Sequence, residues 1–339
     1  MKIAIHHTCK EGFSDRWIRY CERNDITYTI VDAYSSNIIS QINDCHAFMW
    51  QHHQSNYKDV LFAKQLLYSL EAAGKKVFPN YRTCWHFDDK VGQKYLLESI
   101  DAPLVPSYVF YTEEEAVSWA NATSFPKVFK LRGGAGSANV RLAKSRKDAL
   151  SLISKAFGKG FGQYDWLEKL KEALNQKRIG KAGWRDVLRP VYYAIKKYPT
   201  DFSKYKGNEK GYVYFQDFIP DNQFDIRVVV IGGKAFAIKR IVRDGDFRAS
   251  GSGRIVYDRN EIDERCVKSA FEINRKLNAQ SVAYDFVFDV DNQPLIVEIS
   301  YGFHASVYDR CPGYWDQDMY WYDGEFDPYG WMVEMMMEG

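Results

Sequence analysis

Short apolar runs alternate with stretches of helical spacing over the first 86 residues. Lys2–Ile5, Thr27–Val31, Ala47–Trp50 and Lys76–Phe78 pattern as strands. Between them, Asp15–Cys21 and Tyr57–Ala73 carry apolar residues at helical intervals, and Gly74 stops the second. Strands separated by helices predict a small parallel α/β sheet. Such sheets gather ligands at the carboxyl ends of their strands, where His6-His7 and Gln51–Asn56 are expected.

From Phe87 the texture changes. Asp88 is a candidate cap for a helix from Asp89 to about Glu98, bounded by Pro103 and Pro106. Thr112 opens a capping box for a helix over Glu113–Asn121. Pro126–Lys130 reads as a strand entering a Gly-rich loop, Leu131–Ser137, with Ala138–Leu142 as its return. Ser145 and Asp148 cap a further helix that Gly158 closes. Tyr164–Leu174 also has helical spacing. Later, Tyr212–Ile219 is strand-like, and Ile226–Ile231 pairs with Ala235–Val242 through Gly232-Gly233. Asp263–Leu277 is helical, and a second hairpin joins Ala283–Val290 to Pro294–Ser300 around Asp291-Asn292. This predicts an α+β arrangement in three parts: an α/β domain over 1–86, a central subdomain over 87–212 and a C-terminal subdomain over 213–339.

Composition sharpens this picture. The 339 residues are 46% hydrophobic and 27% charged, a globular balance, and no apolar run is long enough for a membrane span. A formal charge of +2 argues against a dedicated nucleic-acid binder. That average hides an asymmetry. Residues 159–210 hold 13 basic and 6 acidic residues and read as an insertion, while 309–339 hold 1 basic and 8 acidic residues with eight aromatics. These two segments are expected to form a homodimer interface or to frame an acceptor channel. The amino-terminal run lacks a secretory h-region, which points to the cytoplasm, and the six scattered cysteines read as reduced thiols. His6-His7 and His52-His53 are expected on a cleft rim and not as metal sites, since neighbours on a strand point to opposite faces.

The second hairpin carries the most chemistry. Its register sets Asp285 opposite Glu298, and like charges so placed are unfavourable unless a cation lies between them. Mg²⁺ suits two carboxylates combined with substrate phosphates. Gly133-Gly134-Ala135-Gly136-Ser137 lacks the ending of a P-loop, yet its backbone N–H groups suit an anion nest. Gln216-Asp217-Phe218-Ile219 followed by Asp225 suits a purine slot and a ribose diol, and Arg240, Arg248 and Arg254 suit phosphoryl oxygens. Taken singly, each has a plain structural reading as a turn, a strand end or a solvated loop.

Their order carries more. A lysine at a helix start, a lysine before a Gly-rich loop, a Gln-Asp-Phe-Ile hinge, Asp-Ile-Arg, an Arg-rich loop and an Asp…Glu-x-Ser hairpin together resemble the ATP-grasp superfamily. The likeness is to carboxylate–amine ligases such as D-alanine–D-alanine ligase, glutathione synthetase and ribosomal-protein glutamate ligases, over roughly residues 87–305. The resemblance implies an ATP-grasp fold, ATP and Mg²⁺ as cofactors, and small-molecule or glycan-linked carboxylate and amine substrates. It implies that Lys90 and Lys130 bind ATP phosphates under a loop of Gly133, Gly134, Gly136 and Ser137. Gln216, Asp217, Phe218 and Ile219 would line the adenine hinge, and Asp225 would hold the ribose. Arg248 and Arg240 would be catalytic, and Asp285, Glu298 and Ser300 would bind Mg²⁺. Ser300 stands where the family has Asn, and Tyr301-Gly302-Phe303 replaces its usual small residues. Cys311-Pro312-Gly313-Tyr314-Trp315-Asp316 looks like a feature of ATP-grasp proteins that accompany surface-polysaccharide genes. A phosphotransferase on the same fold and a nucleotide-binding module without catalysis are the other two readings.

Overall fold

The computed structural model describes residues 1–8, 11–133, 140–162, 170, 173–174, 177, 183–195, 201–242 and 253–338. The first sheet has the order β2-β1-β3-β4 and is parallel throughout, with β1 Lys2–His6, β2 Thr27–Val31, β3 Ala47–Trp50 and β4 Lys76–Phe78. All four residues of β3 are buried, as a strand covered on both faces requires. Helices Phe13–Arg23 and Tyr57–Ala72 flank it, the second capped by the Asn56 side chain.

A four-stranded sheet follows, in the order β5-β8-β6-β7, from β5 Ser107–Phe110, β6 Lys127–Lys130, β7 Val140–Ala143 and β8 Val213–Asp217. Its pairings are antiparallel. Helices Glu113–Ala122 and Arg146–Phe157 cover one face, burying Ala116, Ala120, Ala149 and Ile153 against Phe129 and Phe215. The box expected at Ser145 is present, with both reciprocal bonds to Asp148. The cap expected at Asp88 is one residue off: Asp89 caps the helix Lys90–Ser99 by accepting from Gly92 N.

The third sheet has seven strands: β9 Phe224–Ile231, β10 Lys234–Ile241, β11 Ile255–Val256, β12 Ser281–Phe288, β13 Pro294–Ser300, β14 Gly313–Asp316 and β15 Trp321–Asp323. Its order is β13-β12-β9-β10-β14-β15, with β11 on β10. The helix Glu264–Leu277, capped by Asp263, packs across it. In the second hairpin Asp285 faces Glu298 as expected, but the ladder slips by one residue between Asp285 and Phe286. β12 accordingly ends at Phe288, before the expected Val290, and Val297 is the bulged residue.

The acidic tail is built into the chain's own fold. β14 and β15 extend the third sheet, and the helix Pro328–Met337 buries Tyr329, Met332, Val333 and Met336 with Phe13, Trp17 and Phe78 of the first sheet's layer. Two of its acids pair within the chain: Asp309 with Arg16 at 2.6 Å and Asp327 with Arg23 at 2.7 Å. Of the insertion, residues 184–195 and 201–206 are helical, and most of Tyr164–Leu174 lies outside the described residues. The five described cysteines are free and buried. No helix among the described residues is long and apolar enough to cross a membrane.

Candidate active site

A cavity of about 780 Å³ opens where the three sheets meet. Residues of the loop after β3, of β6 and β8, and of β9, β10, β12 and β13 line it. Ten of the residues expected from the sequence share its wall: Lys130, Gln216, Asp217, Phe218, Ile219, Asp225, Arg240, Asp285, Glu298 and Ser300. Gly134, Gly136, Ser137 and Arg248 lie outside the described residues.

Strand alternation sends Val213 and Phe215 into the core beneath β8 and leaves Gln216 on the cavity side. There the Lys130 ammonium donates to Gln216 Oε1 at 2.6 Å, and Gln216 Nε2 donates to Ser107 Oγ at 3.1 Å and to the Val297 carbonyl at 3.4 Å. Burial pushes the Lys130 ammonium down to about 8, against the pull of Glu298 and Asp285. Asp217 faces Lys127 across the strands at 2.5 Å, so its carboxylate already has a cation and its backbone is the better part for an adenine edge.

Lys90 opens its helix almost completely buried, 4% exposed, with Nζ 3.2 Å from Glu298 Oε1. Burial disfavours its charge, but Glu298 together with Asp88 and Glu209 outweighs it and holds the ammonium above its ordinary value. The Lys90 backbone N–H donates to the Arg132 carbonyl at 3.0 Å, and Arg132 Nη2 reaches Asp89 at 2.5 Å. The helix start is thus tied to the root of the Gly-rich loop. A side-chain carbon at Gly133 would sit 2.9 Å from both Asp88 Oδ2 and Lys206 Nζ, the ends of two flexible side chains.

The third sheet contributes a cluster of facing charges. Glu298, Asp285 and Arg227 are successive partners across β13, β12 and β9, and Asp225 faces Arg240 across β9 and β10. Arg240 grips Asp225 with two bonds of 2.6 Å and reaches Asp285 Oδ2 at 3.0 Å. Arg227 binds both Asp285 oxygens, Nη2 at 2.6 Å from Oδ2. Burial alone would raise the Asp285 pKa, but Arg227 and Arg240 hold its carboxyl far below the usual range. Asp225 thus lines the cavity with its carboxylate already paired to Arg240. Ser300 Oγ donates to the Gly302 carbonyl at 2.8 Å.

Arg227 is the functional group that sequence reasoning passed over. Alternation from Asp225 places it on the same face, but its partner Asp285 lies on a strand that pairs only after the helix Glu264–Leu277 intervenes. The histidine pairs split: His6, at the end of β1, and His52, in the loop after β3, are buried, 6% and 4% exposed, while His7 and His53 are exposed, and both His52 and His53 line the cavity. Among the described residues no three His, Cys, Asp or Glu side chains cluster as a metal cage. Two opposed carboxylates and a hydroxyl nevertheless fit Mg²⁺ of the kind completed by phosphate oxygens.

A model of the RimK-like ATP-grasp domain matches residues 204–309. In fold the chain is similar to a RimK-domain ATP-grasp protein from Sphaerobacter thermophilus, with 15% identity, 100% of both chains covered and a TM-score of 0.56. It is also similar to a D-cycloserine synthetase, with 12% identity, 99% of each chain covered and a TM-score of 0.60. A D-alanine–D-alanine ligase from Bacillus anthracis, solved with ATP, has 13% identity and a TM-score of 0.53 over 89% of this chain and 86% of its own. No curated protein matches the sequence. Three sheets around one cleft, the matched segment and these structures agree: the chain has the ATP-grasp fold.

Proposed function

We propose that the protein is an ATP-dependent ligase that joins a carboxylate to an amine through an acyl phosphate, releasing ADP and phosphate. The observation that carries this reading is the convergence of Lys130, the Gln216–Ile219 segment and the opposed pair Asp285–Glu298 on one cavity, with Lys90 paired to Glu298 behind its wall. Phosphoryl transfer asks mainly for positioning and charge neutralisation, and this set consists of cations and cation-binding carboxylates. Lys90 and Lys130 bind the phosphates, the Gln216–Ile219 backbone takes the adenine edge, and Arg240 contacts phosphate or carboxylate. Arg248 and the loop from Gly133 to Ser137 take the roles the resemblance implies: steadying the acyl phosphate and covering the phosphates. Glu298 and Asp285, with Ser300, would hold Mg²⁺, which would supply charge neutralisation for the phosphate oxygens. The three-part division at 86 and 212 belongs to this reading, as do the cytoplasm, a homodimer and a role in surface-polysaccharide or peptide modification.

Replacing Glu298 with Ala should abolish substrate-dependent ADP release while the circular dichroism spectrum stays unchanged. Near-normal turnover would overturn the cation assignment. The product decides the reaction class: an amide supports the ligase, whereas a stable phosphate ester indicates a phosphotransferase.

A further inference from the structure

The first sheet's side of the cavity carries two histidines from different layers. His53 lies in the loop after β3 and His304 in the segment that runs on from β13, and both line the cavity. Their rings are wired differently. The Ser55 backbone N–H donates to His53 Nδ1 at 3.2 Å, and the Ser55 hydroxyl lies 2.7 Å from the same nitrogen. A backbone amide can only donate, so Nδ1 accepts and the neutral ring carries its proton on Nε2. The His53 backbone N–H in turn donates to the buried Asp59 carboxylate at 2.7 Å, which fixes the loop. Asp59 and His304 are the titratable groups set against this ring. His304 has no such restraint: its ring makes no hydrogen bond to a described residue and does not cap the turn it precedes.

An ammonium cannot attack an acyl phosphate until it loses a proton. Of the eight described carboxylates on this wall, Asp59 is committed to Tyr34 and the His53 N–H, Asp217 to Lys127, Asp225 to Arg240, Asp285 to two arginines and Glu298 to Lys90; the other three are Glu11, Asp88 and Asp221. His52 is buried among Phe87 and Tyr301. We propose that His304 accepts the proton of the incoming amine, and that His53, locked as an Nε2–H donor, binds an oxygen of the acyl group. This rests on the ligase reading. The ammonium gives one proton to His304, and its lone pair forms the C–N bond. The C–O bond to phosphate then breaks, its electron pair and the second nitrogen proton leaving with phosphate. His304 passes its proton to water.

The test uses two nucleophiles and the whole protein. Hydroxylamine is largely unprotonated at neutral pH and needs no base, whereas amino-acid amines do. A panel of amino acids and uronic acids is offered as carboxylates with ATP and Mg²⁺, and hydroxamate is read. His304→Gln should form hydroxamate at the wild-type rate yet lose about a hundredfold or more with amino-acid amines at neutral pH, a loss that shrinks as rising pH frees the amine without a base. His53→Gln should weaken both reactions alike. Unchanged amine turnover in His304→Gln, or equal losses with both nucleophiles, overturns the inference and leaves the ligase standing. ATP consumed by the wild type without hydroxamate overturns the ligase reading itself. Nitrogen-15 spectra supply a measurement free of substrate: His53 showing an Nδ1–H tautomer would overturn its role as donor.

Discussion

Lys130 sits where water cannot stabilise its charge. Its ammonium touches Gln216 Oε1, and burial brings its pKa down to about 8 from an ordinary 10.5. Two trends of opposite sign follow. Between those values the unfolded chain binds a proton that the folded chain does not, so stability should rise with pH through that window. Polyphosphate needs the charged form, so ATP affinity should be level below pH 8 and fall up to tenfold per unit above it. Calorimetric titration from pH 6.5 to 9.5 measures the second trend, and urea unfolding over the same range measures the first. Lys130→Met should bind ATP weakly and flatten both curves; a variant that kept the wild-type pH dependence would assign it to another group. The sequence marked this lysine by its place before a Gly-rich loop, but nothing in the sequence told how completely β8 and β13 would enclose it.

The helix Lys90–Ser99 shows how an element positions charge. Asp89 caps it through Gly92 N at 2.9 Å and also holds Arg132 at 2.5 Å, so one carboxylate sets the helix start and the root of the Gly-rich loop. Asp89→Ala should lower stability by about 1 kcal/mol for the lost cap and weaken nucleotide binding several-fold, because Lys90 and the loop lose their common anchor. Urea midpoints and ATP titration check this; a stability loss with unchanged affinity would confine Asp89 to capping. Local signals of this kind were legible. Periodicity placed every strand of the first sheet, and the Gly232-Gly233 turn named its hairpin. The bulge at Val297 was legible in hindsight: Ile296 and Ile299 both enter the core three residues apart, a spacing that a regular strand cannot give. Pairings between strands distant in sequence left no local trace. That is why Asp285 could be matched with Glu298 but not with Arg227.

At the scale of the molecule, the chain's two ends share one core. The helix Pro328–Met337 lies on Phe13–Arg23, and Arg16–Asp309, Arg23–Asp327 and the Tyr20–Glu334 hydrogen bond stitch the acidic tail to the first helix. Local charge and aromatic content had suggested a tail held out for a partner or a substrate. Much of that aromatic surface is internal instead, with Trp315 and Tyr329 at 1% and 2% exposure. Burying a large apolar side chain is worth about 1.5–3 kcal/mol, so losing Tyr329, Met332, Val333 and Met336 would remove an amount comparable with the whole ~5–15 kcal/mol stability of a domain. Deleting residues 309–339 should therefore abolish the cooperative urea transition, and lost turnover in that variant would report unfolding. Tyr320, 64% exposed on the turn before β15, gives the finer probe. Tyr320→Ala should leave the unfolding free energy from urea titration within about 0.5 kcal/mol of wild type. A truncated chain that unfolded cooperatively at the wild-type midpoint would show that the tail is an appendage and not part of the core.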